Sequence, residues 1–509
     1  MTQAPTESQP TQTKPTENGP AKTAPAEVNP PATGAVARFA RGGWLRTVPG
    51  RIRLYAALGL AAVAVLLAVL TATIGNARDA VRTIGHDAGP QVVATGALYF
   101  ALSDMDAHVA DILLIGREHD LGIGHDESLR LYETRRDEAG QAAIEAAQLA
   151  GQDPDRQKTV REVLQALGRY DRLVGEALLL SRQSDHAAGQ TPKPVLDAYR
   201  QATDLMRMEL LPRAYNLTLD SGATVRQEYE DKRASVQAGQ AWVALAGLAV
   251  LLILLAGQIY LARNFRRTIN PALALATAGT LLLLGSALGM LNGQLDHLRT
   301  AKEDGFDSVL TLSRARAISH SAFADESRYL LDPDRADTYE QTFLDKALSI
   351  AYVDPGESKP LNLETYYTLI ARTVGEYSGE RDPAFLGLFA TEAAKSHEAG
   401  TTARMSPMLM AYAKVMDNDR RMRELATSGR RDEAIALRMR RESGGAIDAF
   451  ERYDRELVAL STLHRQRFQE AIRAADGGLR GWTMLPPLAA LALAVLIVGG
   501  VRPRLAEFR

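Results

Sequence analysis

A chain of 509 residues is longer than one ordinary domain, so more than one folded unit is expected. Its net charge of -2 hides strong segregation, with four apolar segments set between highly charged ones. The absence of cysteine excludes a disulfide framework, thiolate metal sites, a cysteine nucleophile and an anchor built on a lipidated cysteine.

Residues 1–45 begin with a run of Pro, Thr, Glu, Ala and Gln that lacks large apolar side chains. Such a run cannot bury enough surface to offset its ordering entropy, so a disordered cytoplasmic tail is expected. Arg38, Arg41, Arg46, Arg51 and Arg53 follow without an acid and abut the first apolar segment, 52–77. Lys/Arg-rich flanks stay in the cytoplasm, which puts the N-terminus inside, with Trp44 and Tyr55 suited to the interface. The segment is longer than a signal-peptide core and no tidy cleavage site follows it, so a retained anchor is expected.

Residues 78–237 read as a first extracytoplasmic bundle. Leu98, Leu102, Met105, Val109, Ile112 and Leu113 recur at steps of three and four, and so do Val160, Val163, Leu164, Leu167, Tyr170, Leu173 and Val174. Asp153-Pro154 and Pro192 to Pro194 break the helical pattern. Four antiparallel helices follow from this spacing, the first and last running out of membrane spans.

The centre of the chain is a hairpin of two spans, 238–262 and 271–295. No Asp, Glu, Lys or Arg interrupts Ala234–Ala262 or Thr268–Leu295. Each run exceeds the roughly 20 residues a helix needs to cross about 30 Å of hydrocarbon. Between them, 263–270 carries Arg263, Asn264, Phe265, Arg266 and Arg267, a short basic loop that belongs in the cytoplasm and offers a docking surface to a partner. Gly285, Gly289 and Gly293 repeat every four residues along the third span, a pattern that lets helix backbones approach closely, in one chain or in a homo-oligomer.

Residues 296–480 repeat the layout of the first bundle. LSRARAISHSAFADESRYLLDPDR echoes LYFALSDMDAHVADILLIGREHD, Tyr132-Glu133 and Tyr339-Glu340 each open the next helix, and LGRYDRLVGEA resembles MDNDRRMRELA. A long charged helix feeds the closing span in both halves. The second unit is longer around 354–403, where Pro355, Pro360, Pro383 and Gly400 mark loops. After the last span, 481–501, the tail 502–509 carries Arg502, Arg504 and Arg509, again placed inside. The expected fold is an all-α membrane protein: four transmembrane helices and two tandem extracytoplasmic four-helix bundles, arranged as an internal duplication in the plasma membrane with both termini cytoplasmic.

Few residues carry chemistry. Asp104, His108 and Asp111 share one helix face, and with His119 or His125 would hold a metal, but the spacing is that of an ordinary solvated face. Arginine pairs at Arg135-Arg136, Arg314-Arg316 and Arg420-Arg421 have the chemistry to clamp a carboxylate, although nearby acids offer simple surface pairing. No nucleotide-binding, kinase, nucleophile-elbow or zinc-protease motif is found, and the spans carry no acid to mark a proton path. No enzyme, cofactor, resident metal or nucleic-acid partner is expected.

A bundle held between two spans resembles the ligand-sensing part of chemoreceptors and sensor kinases. The tandem four-span layout, with ADESRYLLDPDRADTYEQTFLDKA (Ala324–Ala347) and RTVPGRIRLYAALGL (Arg46–Leu60), resembles the actinobacterial GlnX-type membrane protein. That resemblance implies a partnership with an extracytoplasmic amino-acid-binding lipoprotein and a soluble cytoplasmic Ser/Thr protein kinase, and a role in relaying nutrient status. The expected function is a non-enzymatic signalling adaptor. The rivals are a direct small-ligand sensor and a structural scaffold of the envelope.

Overall fold

The computed structural model describes residues 47–118, 121–151, 153–265, 270–354, 361–377, 385–394 and 401–506. The expected tail 1–45, His119, Arg266, Arg267, Pro355, Pro360, Pro383, Gly400 and Arg509 lie outside these residues.

The fold is built on rods that do not stop at the membrane surface. Helix α1 (Val48–Ile115) begins where Thr47 accepts a hydrogen bond from the Gly50 amide and Pro49 occupies the first turn, a position that needs no donor. It runs through a π-helical turn at Thr83–Ala88 without breaking. Helices α2 (His125–Leu149) and α3 (Pro154–Ser184) follow, the latter capped by Asp153. Helix α4 (Lys193–Asn264) passes through a second π turn at Met206–Leu210 on its way to the second span. Helix α5 (Pro271–Leu331) starts on the Asn270 cap and crosses a third π turn at Thr300–Phe306. Three of the four spans are therefore the ends of rods of 68, 72 and 61 residues.

The second half is finer-grained. Helices α6 (Ala336–Ile350), α7 (Leu363–Glu376), α8 (Leu388–Ala394), α9 (Thr401–Thr427), α10 (Arg431–Met439) and α11 (Ala446–Leu479) precede the last span, α12 (Leu485–Ala506). Tyr352–Val353 (β1) and Phe385–Leu386 (β2) add a two-residue antiparallel pair, Tyr352 opposite Leu386. Two expectations shift. The helices expected to open at Tyr132 and Tyr339 start earlier, at His125 and Ala336, because acids in their first turns suit a helix N-terminus. The long helix α11 does not feed the last span directly: Gly481 adopts φ +83°, and the chain turns before restarting at Leu485. A left-handed residue ends a helix, and glycine takes that conformation without a Cβ penalty.

The four spans pack as one bundle in which α1 and α4, α4 and α5, α5 and α12, and α12 and α1 are neighbours. Their shared core includes Leu66, Leu70, Val250, Leu283 and Ile497. Polar contacts sit between the second and third spans, where Gln240 donates to Asn292 and Gln258 to Thr277, both at 2.9 Å. Close approach falls on glycines other than the expected stripe. A Cβ on Gly239 would lie 2.4 Å from Thr73, and one on Gly247 would lie 2.7 Å from Leu284, whereas Gly285, Gly289 and Gly293 have nothing within 4 Å of theirs. The Gly-x-x-x-Gly face therefore points away from the other described helices of this chain.

Beyond the spans, both halves contribute to one apolar core. Leu98, Leu102, Met105 and Tyr170 from the first half join Leu312, Phe323, Phe343, Tyr412 and Tyr453 from the second in a single cluster. Leu98, Leu102 and Met105 are fully buried, as their spacing predicted.

Candidate functional site in a charged seam

The upper parts of α1 and α5 run side by side, in the same direction and in register. Gly96 faces Ser313, the Arg316 guanidinium lies 3.9 Å from the centre of the Phe100 ring, and Asp104 meets His320. Asp111 accepts a hydrogen bond from Ser327. The Asp104–His320 and Asp111–Ser327 contacts both join residues 216 apart, so the two helices keep one register along this stretch. A seam between two apolar faces would be dry. This one is lined with buried charge.

Three clusters follow each other along it. In the first, Asp104 accepts from Arg135 Nε and from His320 Nδ1, both at 2.5 Å, while His108 lies 3.5 Å away. The other ring nitrogen of His320 reaches Asp454 at 3.1 Å, and Asp454 takes a two-pronged contact from Arg316 at 2.6 and 2.7 Å. Burial works against a charged imidazole, but Asp104 and Asp454 on either side hold His320 up at about 9. Burial likewise opposes the Asp104 carboxylate, yet His320 and His108 keep it well below the usual range.

In the second cluster, Arg328 donates to Asp106, Asp325 and the Tyr199 hydroxyl, and all four are buried. Lys346 closes on Asp325 at 2.5 Å. Burial, with Arg328 and Arg207 nearby, pushes the lysine down to about 8. Two acids against two bases leave the group neutral, as a buried cluster requires.

In the third, Arg438 is wholly buried, 3.2 Å from both Asp111 and Glu326 and stacked 3.6 Å from the centre of the Phe323 ring. Burial and the nearby Asp419 carboxylate push Glu326 well above the usual carboxylate range. Arg423 pairs with Asp419, which also accepts from the Tyr367 hydroxyl.

Beside the first cluster a cleft of about 280 Å³ opens between α1, α2, α5 and α11. Its floor is Asp104, His320 and Asp454, its wall is Phe323 stacked on Phe450 at 4.1 Å, and Arg441 and Arg455 stand at its rim.

The expected site residues divide accordingly. Asp104 and His108 do meet, but Asp111 turns to Arg438 and Ser327. Among the described residues no three His, Asp or Glu side chains converge as metal ligands. The pairs Arg135-Arg136 and Arg314-Arg316 split between different surroundings, while Arg420 and Arg421 both stay on the outside. Arg135 and Arg316 enter the seam, Arg314 donates to Tyr215, and Arg136 and Arg420 pair with Asp137 and Asp417 toward solvent. In the expected inner loop, Arg263 and Asn264 are exposed at the end of α4. Asp106, His320, Asp325, Arg328 and Arg438 were missed. Asp106 interrupts the apolar recurrence from Leu98 to Leu113, and nothing local marks the other four.

Residues 80–230 match the family model of an actinobacterial sensor domain. The matched segment begins just above the first span and takes in the rest of α1, all of α2 and α3, and α4 down to the approach to the second span. It contains one wall of the charged seam. No curated protein and no solved structure matches the chain. Among the described residues four helices are long and apolar enough to span a bilayer, which together with the sensor-domain match over 80–230 fits a helical, multi-pass membrane protein of sensor type.

The seam is expected to make the stability of the region above the spans depend on pH. His320 binds its proton more tightly folded, at about 9, than unfolded, near 6.5. The stabilisation is fully present below pH 6.5 and is lost as pH rises through 9, an effect of about 3 kcal/mol. Lys346, depressed to about 8, acts in the opposite sense above that pH. The difference in unfolding free energy between the wild type and His320→Gln removes the lysine contribution. It is expected to shrink by about 3 kcal/mol between pH 6.5 and 9 in denaturant titrations. A difference that stays constant with pH would mean that His320 is neutral in the fold.

Proposed function

We propose that the chain is a non-enzymatic transmembrane adaptor. The helical region above the spans lies outside the cell, both termini and the Arg263–Arg267 loop lie inside, and signals about extracytoplasmic amino acids pass to a cytoplasmic Ser/Thr kinase. A solute-binding lipoprotein supplies the input. One observation carries this reading: α1, α4 and α5 run without a break from the charged seam into the membrane. A helix turned or shifted by part of a turn at one end must move at the other, and in α1 and α5 the π turns sit just above the spans, where a rod can change register. The two halves, each opening with a rod that carries a π turn at a corresponding place, fit a duplication. The input must favour one arrangement of the seam over another, or nothing is transmitted.

The chain has no cysteine, so single cysteines report its topology without background. Cysteines placed at Arg172 and Glu424, both exposed, are expected to react with a membrane-impermeant reagent on intact cells. Affinity capture of the full chain from membranes is expected to recover the kinase and the lipoprotein. Capture of neither, from membranes in which both are present, sinks the adaptor reading.

A second reading is direct sensing, in which the helices above the spans bind the small ligand themselves. The cleft at the seam favours it, because any occupant touches helices of both halves at once.

A further inference from the structure

The cleft beside Asp104 and His320 has an unequal supply of donors and acceptors. Its floor acids are already used. Asp104 has one oxygen on His320 and the other on Arg135, and Asp454 has Arg316 on both oxygens with His320 sharing one. At the mouth the balance reverses. Arg441 and Arg455 are both exposed and share a single carboxylate, Glu451, at 3.2 and 3.9 Å. Each guanidinium has five N–H donors in a planar fork, and among the described residues Glu451 is the ion-pair partner of both. Deeper in, His108 lines the same cleft, and its Nδ1 is buried with no hydrogen-bond partner among the described residues. A buried polar atom without a partner costs free energy unless something fills its place.

We propose that this cleft binds a small organic carboxylate. The arginine forks match the two oxygens of a carboxylate at the rim, and His108 Nδ1 supplies a further donor inside when it carries the proton. The stacked Phe323–Phe450 wall takes the apolar body of the molecule. A volume of about 280 Å³ has room for a small molecule. The proposal deepens the direct-sensing reading by giving it a ligand class. It needs neither the kinase nor the lipoprotein. The occupant would rest on α1 and α2 from one half and on α5 and α11 from the other, so binding and the register of the seam are linked.

The test is calorimetric titration of the full chain in lipid nanodiscs, free of partner proteins, with succinate, benzoate and inorganic phosphate. At least one of the two carboxylates is expected to bind saturably at one site per chain. The double variant Arg441→Gln/Arg455→Gln is expected to bind at least tenfold more weakly while melting as the wild type does. Arg172→Gln/Arg182→Gln, on the far surface of α3, is expected to bind as the wild type does. The proposal is overturned if neither carboxylate gives a saturable signal or if the rim variant binds unchanged. It is equally overturned if phosphate binds as tightly as both carboxylates, which would mark a general anion patch. Because the sample contains only this chain, failure here leaves the adaptor reading to its own capture experiment.

Discussion

Replacing Arg328 with methionine is expected to lower the stability of the region above the spans by about 3–5 kcal/mol. The guanidinium is wholly buried and holds Asp106, Asp325 and the Tyr199 hydroxyl. Without it, two buried carboxylates face one cation, Lys346, and an uncompensated buried charge is among the most costly defects a fold can carry. The double variant Arg328→Met/Asp106→Leu removes one charge of each sign and leaves the Asp325–Lys346 pair intact. It is expected to recover to within about 2 kcal/mol of the wild type, because replacing a buried pair by apolar groups is often near neutral. Denaturant titration of the full chain in nanodiscs, followed by helical circular dichroism, measures both. A single variant as stable as the wild type would show that water reaches this cluster.

The second large effect concerns the rods. Val225 is buried on α4, between the seam and the second span, against Val92 and Phe306. Proline there removes the amide that bonds one turn back and clashes with the carbonyl it served, at a cost of about 3 kcal/mol or more. Val225→Pro is expected to strip hydrogen-exchange protection from the amides around 220–230 by about a hundredfold, while the spans stay inserted. Val225→Ala is the control, because it keeps the amide and only trims the side chain. If protection in the proline variant matches that in the alanine variant, α4 is not a stiff connection and the relay loses its mechanical basis.

How much of this was legible beforehand differs by level. The spans were plain, since long uncharged runs have few physical alternatives. The helices of the first half were equally plain from the three–four recurrence of Leu98, Leu102 and Met105, all of which are buried. What periodicity does not encode is which helix packs against which. Nothing local to Asp104 or His320 says that they meet across 216 residues, so the seam was invisible and the two halves read as separate towers. The turn at Gly481 was missed for a different reason. Gly477, Gly478, Gly481 and Pro486-Pro487 are breaker signals there, but they sit where a charged helix meets an apolar run, and the junction reads as one continuous rod. Asp106 was the most informative miss. A charged residue inside an apolar stripe reads as an irregularity until a partner from the other half, here Arg328, accounts for it.

The register shared by α1 and α5 has one more consequence. A pairing of helices from two separate molecules depends on their concentration, and dilution can part it. Here the pairing partner is tethered on the same polypeptide, so its local concentration is fixed by the linker and not by expression level. The seam should therefore melt at the same temperature whether the protein is scarce or abundant, and the cleft beside Asp104 has two unlike walls.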